Sequence, residues 1–510
     1  MPELSIYSRE EVKKHSVPGD AWIIIDAEVY NVSTFADLHP GGAQVLNELA
    51  GKDVTEDFYG LHRQDVLAKY ARLKIGRLAN EEPQYPLPEP GALSKVPYGE
   101  PSFFLGYKSP YYNESHTRFR KAMRKIFEGL QEEARLSEDA NKPPSAELYR
   151  QLGEAGVLAT QIGPGPWMKG LTLPGGIKGE EFDLFHELIA HQENARVGSP
   201  GFADGISSGY IIGLPPVLHG GSDELQARVV PQVISGQKRI CLAITEPTAG
   251  SDVQNIRTTA KRTPDGKHFI VNGVKKWITN GTFADYFSTA VKTEKGITML
   301  LIERDDNVET KAIKTSYSSA AGTSYITFDN VKVPVENVLG EEGNGFMVIM
   351  ANFCKERWYI CAAINASSRF ITEESFKWCN QRKVFGKPLI SQPVIRNKLA
   401  NMISELEAVE NWQENLTYQM MHMDWFEMAT RLLGSVALLK YRSTRVAHNV
   451  SDEACQVFGG RSITKTGMGR YVEAFQRTYK FAAILGGSEE IMADLGLRQA
   501  MRVFPKSARL

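Results

Sequence analysis

The sequence predicts a multidomain chain: a small α+β unit at the N-terminus, then a helical domain, a central β domain and a C-terminal helical bundle. Three observations predict it. At 510 residues the chain is too long for one compact core, which argues for two to four domains. A run of prolines after about residue 80 cuts off a short N-terminal segment. Beyond it the apolar period switches from helical to alternating and back to helical. The expected boundaries are 1–80 for the first unit, 81–110 for a linker, 111–237 for the helical domain, 238–340 for the β domain and 341–510 for the bundle.

Composition sets the class. With 42% hydrophobic and 23% charged residues the chain reads as globular, and a net charge of −1 without a long Lys/Arg cluster excludes nucleic acid as an expected partner. Five cysteines, Cys241, Cys354, Cys361, Cys379 and Cys455, are far apart and form no Cys-x-x-Cys pair, so they read as reduced thiols. No apolar run reaches the roughly 20 residues of a membrane-spanning helix. Glu3, Glu10 and Glu11 argue against a secretory signal or an acid-poor presequence. The tail Ser507-Ala508-Arg509-Leu510 has the small–basic–Leu form of a peroxisomal address, against the alternatives of a cytoplasmic or mitochondrial protein.

In the first unit, Trp22-Ile23-Ile24-Ile25 and Val29-Tyr30-Asn31-Val32 are strand-like, and His39-Pro40-Gly41-Gly42 follows them, ahead of an amphipathic stretch from Ala43 to Leu49. Pro and Gly fix a tight turn, so the imidazole is presented rigidly. His62 follows the apolar pair Phe58-Tyr59. Two neutral imidazoles facing across an apolar slot would fill both axial positions of a haem iron. Residues 4–79 resemble a cytochrome b5 domain. The resemblance implies haem b, with His39 and His62 as axial ligands, Phe35 and Phe58 as packing aromatics, and Lys74-Ile75-Gly76 as the closing segment.

Pro83, Pro86, Pro88, Pro90, Pro97, Pro101 and Pro110 then exclude helix and predict an extended, semi-stiff linker. Helical spacing returns over 114–135, 147–158 and 182–193. From Arg239 to about Leu339 short apolar runs predict strands, with Asp265-Gly266 and Asn272-Gly273 as turns between them. After Gly345 helices are expected over 346–378, 394–422, 428–458 and 491–503.

Within the β region, Ile244-Thr245-Glu246-Pro247-Thr248-Ala249-Gly250-Ser251-Asp252 couples a strand end to a polar Gly/Ser turn. A hairpin later, Lys276-Trp277-Ile278-Thr279-Asn280-Gly281 sets a large flat side chain beside a hydroxyl. Together they could clasp a planar ring that needs stacking and rim hydrogen bonds. These motifs resemble the acyl-CoA dehydrogenase family, over roughly 112–503. The resemblance implies that family's fold, ending in a four-helix bundle, with FAD and an acyl-CoA substrate. It places Leu242, Ile244, Thr245, Trp277, Ile278 and Thr279 around the isoalloxazine, and Gly250 and Ser251 where FAD meets the substrate thioester arm. Arg382, Phe385 and Gln392 match a segment that reaches a neighbouring subunit's FAD, as do Gln456, Gly459 and Gly460, which implies a homodimer or homotetramer. Ser488 and Glu490 match a further FAD contact. Leu242 departs from the aromatic residue often found there.

Removing a substrate α-proton needs a carboxylate in a dry pocket. Many family members place it where this chain has Gly486 in Leu485-Gly486-Gly487-Ser488. The long-chain and isovaleryl types take it from a Glu-Arg pair on an earlier helix, which here reads Glu356-Arg357. Phe353, Glu356 and Ile360 lie at i, i+3 and i+7, so Glu356 falls on an apolar stripe. It is expected to be the base, with Arg357 on the substrate side; a structural ion pair of Glu356 with Arg357 or a lysine is the alternative. Two further departures, Cys354 and Thr478 at positions where carboxylates are frequent, keep open an O2-using oxidase and a haem-tethered binding protein with a vestigial flavin fold. The redox partner is expected among a cytochrome, a reductase or O2, with the fused haem relaying electrons from the flavin; the alternative is the reverse direction, from an external reductase through the haem to the flavin.

Overall fold

The computed structural model describes residues 5–508, so Glu3 and the Arg509-Leu510 end of the tail motif lie outside the described residues. The chain forms two compact units. One comprises the residues through Glu89 with Phe376–Arg396 and Val457–Tyr471; the other comprises Pro90–Ser375, Asn397–Gln456 and the residues from Val472 onward.

The first unit opens with β1 (Ser5–Tyr7), α1 (Arg9–Lys14), β2 (Ser16–Val17), β3 (Asp20–Ile25) and β4 (Glu28–Asn31). It continues with α2 (Ala43–Leu49), α3 (Thr55–Leu61), α4 (Asp65–Lys69) and β5 (Lys74–Leu78). The sheet order is β1-β5-β4-β3-β2, with β1 parallel to β5. Asp26 and Ala27 have φ of 51° and 62°, the two left-handed residues of the tight turn that joins β3 to β4. Alternation in β3 sends Ile23 and Ile25 into a core shared with Phe35 and Phe58, and Ile24 into a second core with Val12, Val29 and Leu78.

In the second unit the helical domain holds α5 (Glu114–Gly129), α6 (Gln131–Asp139), α7 (Ala146–Glu154), β6 (Thr172–Leu173), β7 (Ile177–Lys178), α8 (Leu184–Ala195), α9 (Pro200–Ser208), α10 (Pro215–Gly220) and α11 (Asp223–Ile234). Helices α5 and α8 each start with a capping box whose third helical residue is a histidine: Asn113 with His116, and Asp183 with His186. The two rings stack at 4.0 Å, so the local cluster of His116, Asp183 and His186 is accounted for by helix capping.

The β domain contains β8 (Ile240–Ala243), β9 (Thr259–Arg262), β10 (His268–Ile278), β11 (Tyr286–Thr293), β12 (Gly296–Glu303), β13 (Val308–Ala312), β14 (Ser324–Pro334) and β15 (Val338–Leu339). They form one sheet ordered β13-β14-β10-β9-β11-β12-β15, with β8 parallel beside β11. Asp265-Gly266 turns the chain between β9 and β10 as expected. Asn272-Gly273 does not turn it. The pair lies inside β10, where the register with β14 shifts, and Gly273 at φ 149° packs so closely that a Cβ would sit 2.6 Å from the Thr258 Cα. The glycine is there for a bulge and a close backbone approach.

The last domain has α12 (Gly345–Gln381), β16 (Lys383–Val384), β17 (Lys387–Pro388), α13 (Pro393–Met420), α14 (Trp425–Arg431), α15 (Leu433–Phe458), α16 (Arg470–Ile484) and α17 (Glu489–Arg502). The helix expected over 428–458 is broken at Leu432, and α16 was not among the expected helices.

The proline-rich stretch is extended but anchored. In the first unit the backbone N–H groups of Gln84 and Tyr85 donate to the Asp26 carboxylate at 2.6 and 2.7 Å. In the second, Glu100 is buried between Arg120 and Arg124, which it meets at 2.9 and 2.8 Å, with Glu193 completing the network. The stretch holds no α-helix, but against the expectation from its prolines it contains one short 3-10 helix, Ser102–Leu105, started by Pro101; the tertiary partners of Asp26 and Glu100 lie too far away in sequence to be foreseen.

Candidate active site and haem cleft

His39 and His62 each follow the last residue of a short helical turn, the first after Ala36–Leu38 and the second after α3. Their rings stand 6.0 Å apart between centroids, with 73° between planes. Metal–imidazole bonds of about 2 Å on each side of one ion require a separation of about this size. Phe35 meets His39 edge-on at 5.9 Å and Phe58 tilts over His62 at 5.0 Å, so the walls are apolar. Burial, and next the neighbouring His39 imidazole, lower the His62 pKa, a direction that favours the neutral form a ligand needs. His39 Nδ1 is buried without a hydrogen-bond partner among the described residues. The cleft fits a bis-histidine haem.

Within the same unit α3 and α4 touch the tips of the C-terminal domain. Lys383 pairs with Glu56 at 2.5 Å, Arg470 pairs with Asp65 at 2.7 Å, and the Arg63 guanidinium lies 4.7 Å from the Tyr471 ring centre. Three of the residues expected to reach another subunit's FAD are in this unit and solvent-facing: Phe385, Gly459 and Gly460. Arg382 and Gln392 are half-buried, and Gln456 is exposed at the end of the other unit. Phe385 is 94% exposed at φ 50°, a left-handed conformation that a bulky residue rarely adopts.

In the β domain the two ring-clasping motifs adjoin, because the Lys276 N–H donates to the Thr245 carbonyl at 2.9 Å. Beneath them the Lys275 ammonium, fully buried, donates to the Ile244 carbonyl and to Glu246, both at 2.9 Å. Glu246 also accepts the N–H groups of Arg257 and Thr258 at 2.5 and 3.0 Å. The sequence reading missed this pair; a lysine at an inward position of β10 is the signal that could have found it. Leu242, Ile244 and Ile278 are buried, Thr245 and Thr279 half-buried, and Gly250 and Ser251 exposed. Trp277 is 54% exposed at φ 66°. The Lys276 ammonium lies 4.8 Å from the centre of the Trp277 ring, yet half of the indole remains exposed in a strained conformation with Thr279 two residues on; a flat ring would cover such a surface, so these residues fit a flavin.

Glu356 lies on α12, 5% exposed, and its Oε2 has no hydrogen-bond partner among the described residues. Burial pushes its pKa up to about 7, against the opposing charges of Arg357 and Lys440. The ion-pair alternative is not what the geometry shows. Arg357 Nε donates to the Gly486 carbonyl at 2.8 Å, and Lys355 pairs instead with Glu187 at 2.6 Å. Gly486 has φ 62°, and a Cβ there would stand 3.5 Å from Glu356 Oε1. The loop position and the helix position therefore address the same space, and here the helix fills it. Lys440, unforeseen, holds the same loop through the Gly487 carbonyl at 2.6 Å. Ser488 caps α17, and Glu490 is exposed in its first turn. Cys354 is buried, its thiol 3.6 Å from the Met428 carbonyl, and Thr478 is buried too.

Helical, β and helical domains in that order, with a buried unpaired carboxylate on the first helix of the third, define a dehydrogenase-type oxidoreductase acting on a CH–CH group. Residues 113–237, 241–331 and 343–501 match the N-terminal, middle and C-terminal domains of acyl-CoA dehydrogenase, and residues 8–79 match the cytochrome b5-like heme/steroid binding domain. The chain belongs to the acyl-CoA dehydrogenase family and carries a cytochrome b5-like domain fused at its front. It is 40% identical to acyl-CoA dehydrogenase apdG of Emericella nidulans over 425 residues, 81% of this chain and 97% of the relative. Among solved structures it resembles acyl-CoA dehydrogenase from Geobacillus kaustophilus at 26% identity and a TM-score of 0.67, covering 77% of this chain and 100% of that one. The FAD complex of acyl-CoA dehydrogenase from Bacillus anthracis is similar at 25% identity and a TM-score of 0.68, covering 78% of this chain and 69% of that one.

Proposed function

We propose that this protein desaturates an acyl-CoA thioester between its α and β carbons, that Glu356 takes the α-proton, and that the electrons leave through the fused haem domain. The observation that carries the reading is the Glu356 carboxyl group: buried, without an ion-pair partner among the described residues, and poised near neutrality at about 7. Such a group is dry enough to be basic and is ionised at the pH where it must act. Bound FAD supplies the hydride acceptor and bound haem b a one-electron acceptor.

The chain's own residues do the rest. Arg357 and Lys440 hold the 486–487 carbonyls and so fix the loop that faces the base. Trp277, Thr245 and Thr279 offer one face and two rim hydroxyls to the flavin; that a similar acyl-CoA dehydrogenase, from Bacillus anthracis, is complexed with FAD supports the cofactor. Ser251 and Arg357 are placed on the thioester side. The exposed, left-handed Phe385 supports the reading that its segment meets a neighbouring subunit in a homodimer or homotetramer.

A two-electron hydride step and a one-electron haem require two successive transfers per turnover. His39 and His62 would both be taken up in holding the haem iron, which would suit electron relay and not oxygen chemistry. Anaerobic mixing of the oxidised protein with an acyl-CoA substrate is expected to bleach the flavin first and then produce reduced-haem bands. His39→Ala and His62→Ala should keep the first phase and lose the second. A flavin that stays fully reduced beside oxidised haem long after mixing would refute the relay, and an unbleached flavin across a panel of thioesters would refute the desaturation.

A further inference from the structure

The haem domain shares its compact unit with two tips of the C-terminal domain, Phe376–Arg396 and Val457–Tyr471. The tips adjoin. Trp378, near the end of α12, stacks on Phe458 at 5.4 Å, and the Arg461 guanidinium lies 5.0 Å from the Trp378 ring centre. The first tip carries five Lys or Arg residues and the second three, and neither has an Asp or Glu, although the chain as a whole has a net charge of −1. Such a concentration of one sign attracts an anion. Around these cations the surface is apolar and bare: Phe385, Ile463 and Val394 are 94, 78 and 61% exposed, and a Cβ at Gly386, Gly459 or Gly460 would meet nothing within 4 Å. Uncovered large apolar groups beside open backbone mark a surface that another body covers, and the cations select a body that presents negative charge.

The haem domain is fixed to these same tips through the stretch that holds one of its two histidines. Glu56 of α3 pairs with Lys383, Asp65 of α4 pairs with Arg470, and Arg63, the neighbour of His62, lies over Tyr471. Each exposed pair is weak by itself, but the three anchors stand on both sides of His62 in the chain. Whatever the tips dock on, the haem domain therefore docks with them. A second copy of this chain with FAD bound offers what the tips select: the exposed Trp277 indole and the diphosphate of the dinucleotide.

We propose that the two basic tips carry each haem domain onto a second copy of this chain, beside that copy's flavin site, so that the haem of one subunit serves the flavin of its neighbour. The proposal rests on the desaturation, relay and oligomer readings above and adds which subunit's haem is used. For each double bond formed the substrate gives up two protons and two electrons. The protons end in water, and the electrons cross singly to the other subunit's haem, which an external one-electron acceptor reoxidises between the two transfers.

The test uses mixed oligomers of the full chain, assembled by co-expression and isolated through two different tags. One copy carries Glu356→Gln and keeps its haem; the other carries His39→Ala with His62→Ala and keeps its base. Neither variant alone can couple substrate to haem. Anaerobic mixing with an acyl-CoA that bleaches the unsubstituted protein should produce reduced-haem bands in the mixed oligomer, and none on the same timescale when the two finished homo-oligomers are combined. Haem that stays oxidised in the mixed oligomer, while the unsubstituted protein reduces its own, overturns the proposal. A second readout needs no turnover: in FAD- and haem-loaded oligomers mixed from isotopically light and heavy copies, lysine cross-links from Lys69 of the haem domain to Lys261 or Lys276 of the β domain should include light–heavy pairs. Links confined to copies of one isotope overturn the proposal. If the unsubstituted protein leaves its haem oxidised, the relay reading falls and the cross-links alone decide where the haem domain sits, so the two failures are told apart.

Discussion

Glu246 and Glu356 are equally hidden, 3% and 5% exposed, yet their pKa values are moved in opposite directions. Glu246, under the ring-clasping loops, has the Lys275 ammonium and two backbone N–H groups on its oxygens, and these partners outweigh burial and lower its pKa. Glu356 has one oxygen with no partner among the described residues and cations that do not reach it, and burial raises its pKa to about 7. Burial alone therefore says nothing about charge. What separates a structural carboxylate from a chemical one is whether the fold has already given it donors.

Exchanging the unpaired carboxylate for an amide should have the largest effect. Glu356→Gln is expected to keep its FAD spectrum and lose about 10²–10⁴ of the rate of flavin reduction, the range of a positioned general base. The base must be unprotonated to work, so kcat/KM of the unsubstituted protein should climb about tenfold per pH unit below about 7 and level off above it. A profile that stays flat from pH 5 to 8, or a Gln variant with near-normal rates, would assign the chemistry to another group.

Stripping the paired carboxylate of its partner comes next. Lys275→Met leaves Glu246 buried beside an apolar group and should destabilise the protein by about 3–5 kcal/mol in chemical denaturation. If the loss is below about 1 kcal/mol, the ion pair does not hold the two loops together.

The smallest effect is on stability and depends on pH. The folded pKa of Glu356 lies above its ordinary value of 4.5, so the folded state binds the proton more tightly and that contribution to stability is lost as pH rises from about 4.5 to about 7. Glu356→Gln should therefore be more stable than the unsubstituted protein at pH 8, by up to about 2–3 kcal/mol, and close to it at pH 4 to 5. Equal melting temperatures at both ends of the range would mean that water reaches the carboxylate.

Legibility in the sequence followed distance along the chain. His39 and His62 lie within one short unit, and the turn residues that present them are their neighbours, so the haem cleft could be read from contiguous motifs. Glu356 was singled out through the resemblance to the family's Glu-Arg pair, with helical spacing in support; spacing alone would have favoured a structural ion pair. What could not be read depends on partners from other segments. Asn272-Gly273 carries a turn signature, but its setting against Thr258 and β14 makes it a bulge. The proline-rich stretch shows no sign that Glu100 will enter a cluster with Arg120 and Arg124.

Where the base is mounted also bears on how this site can drift in evolution. Held by a loop, a carboxylate at position 486 would depend on a left-handed backbone at φ 62°, and any insertion or remodelling there would displace it. Mounted on α12, a helix of 37 residues, it moves only if a long packed element slides, and the natural step of such a slide is a whole turn of about 5.4 Å. The loop at 485–488 is accordingly relieved of holding the proton acceptor, although Gly486 and Gly487 stay bound to their left-handed backbone and to the close approach of Ile360 and Met492.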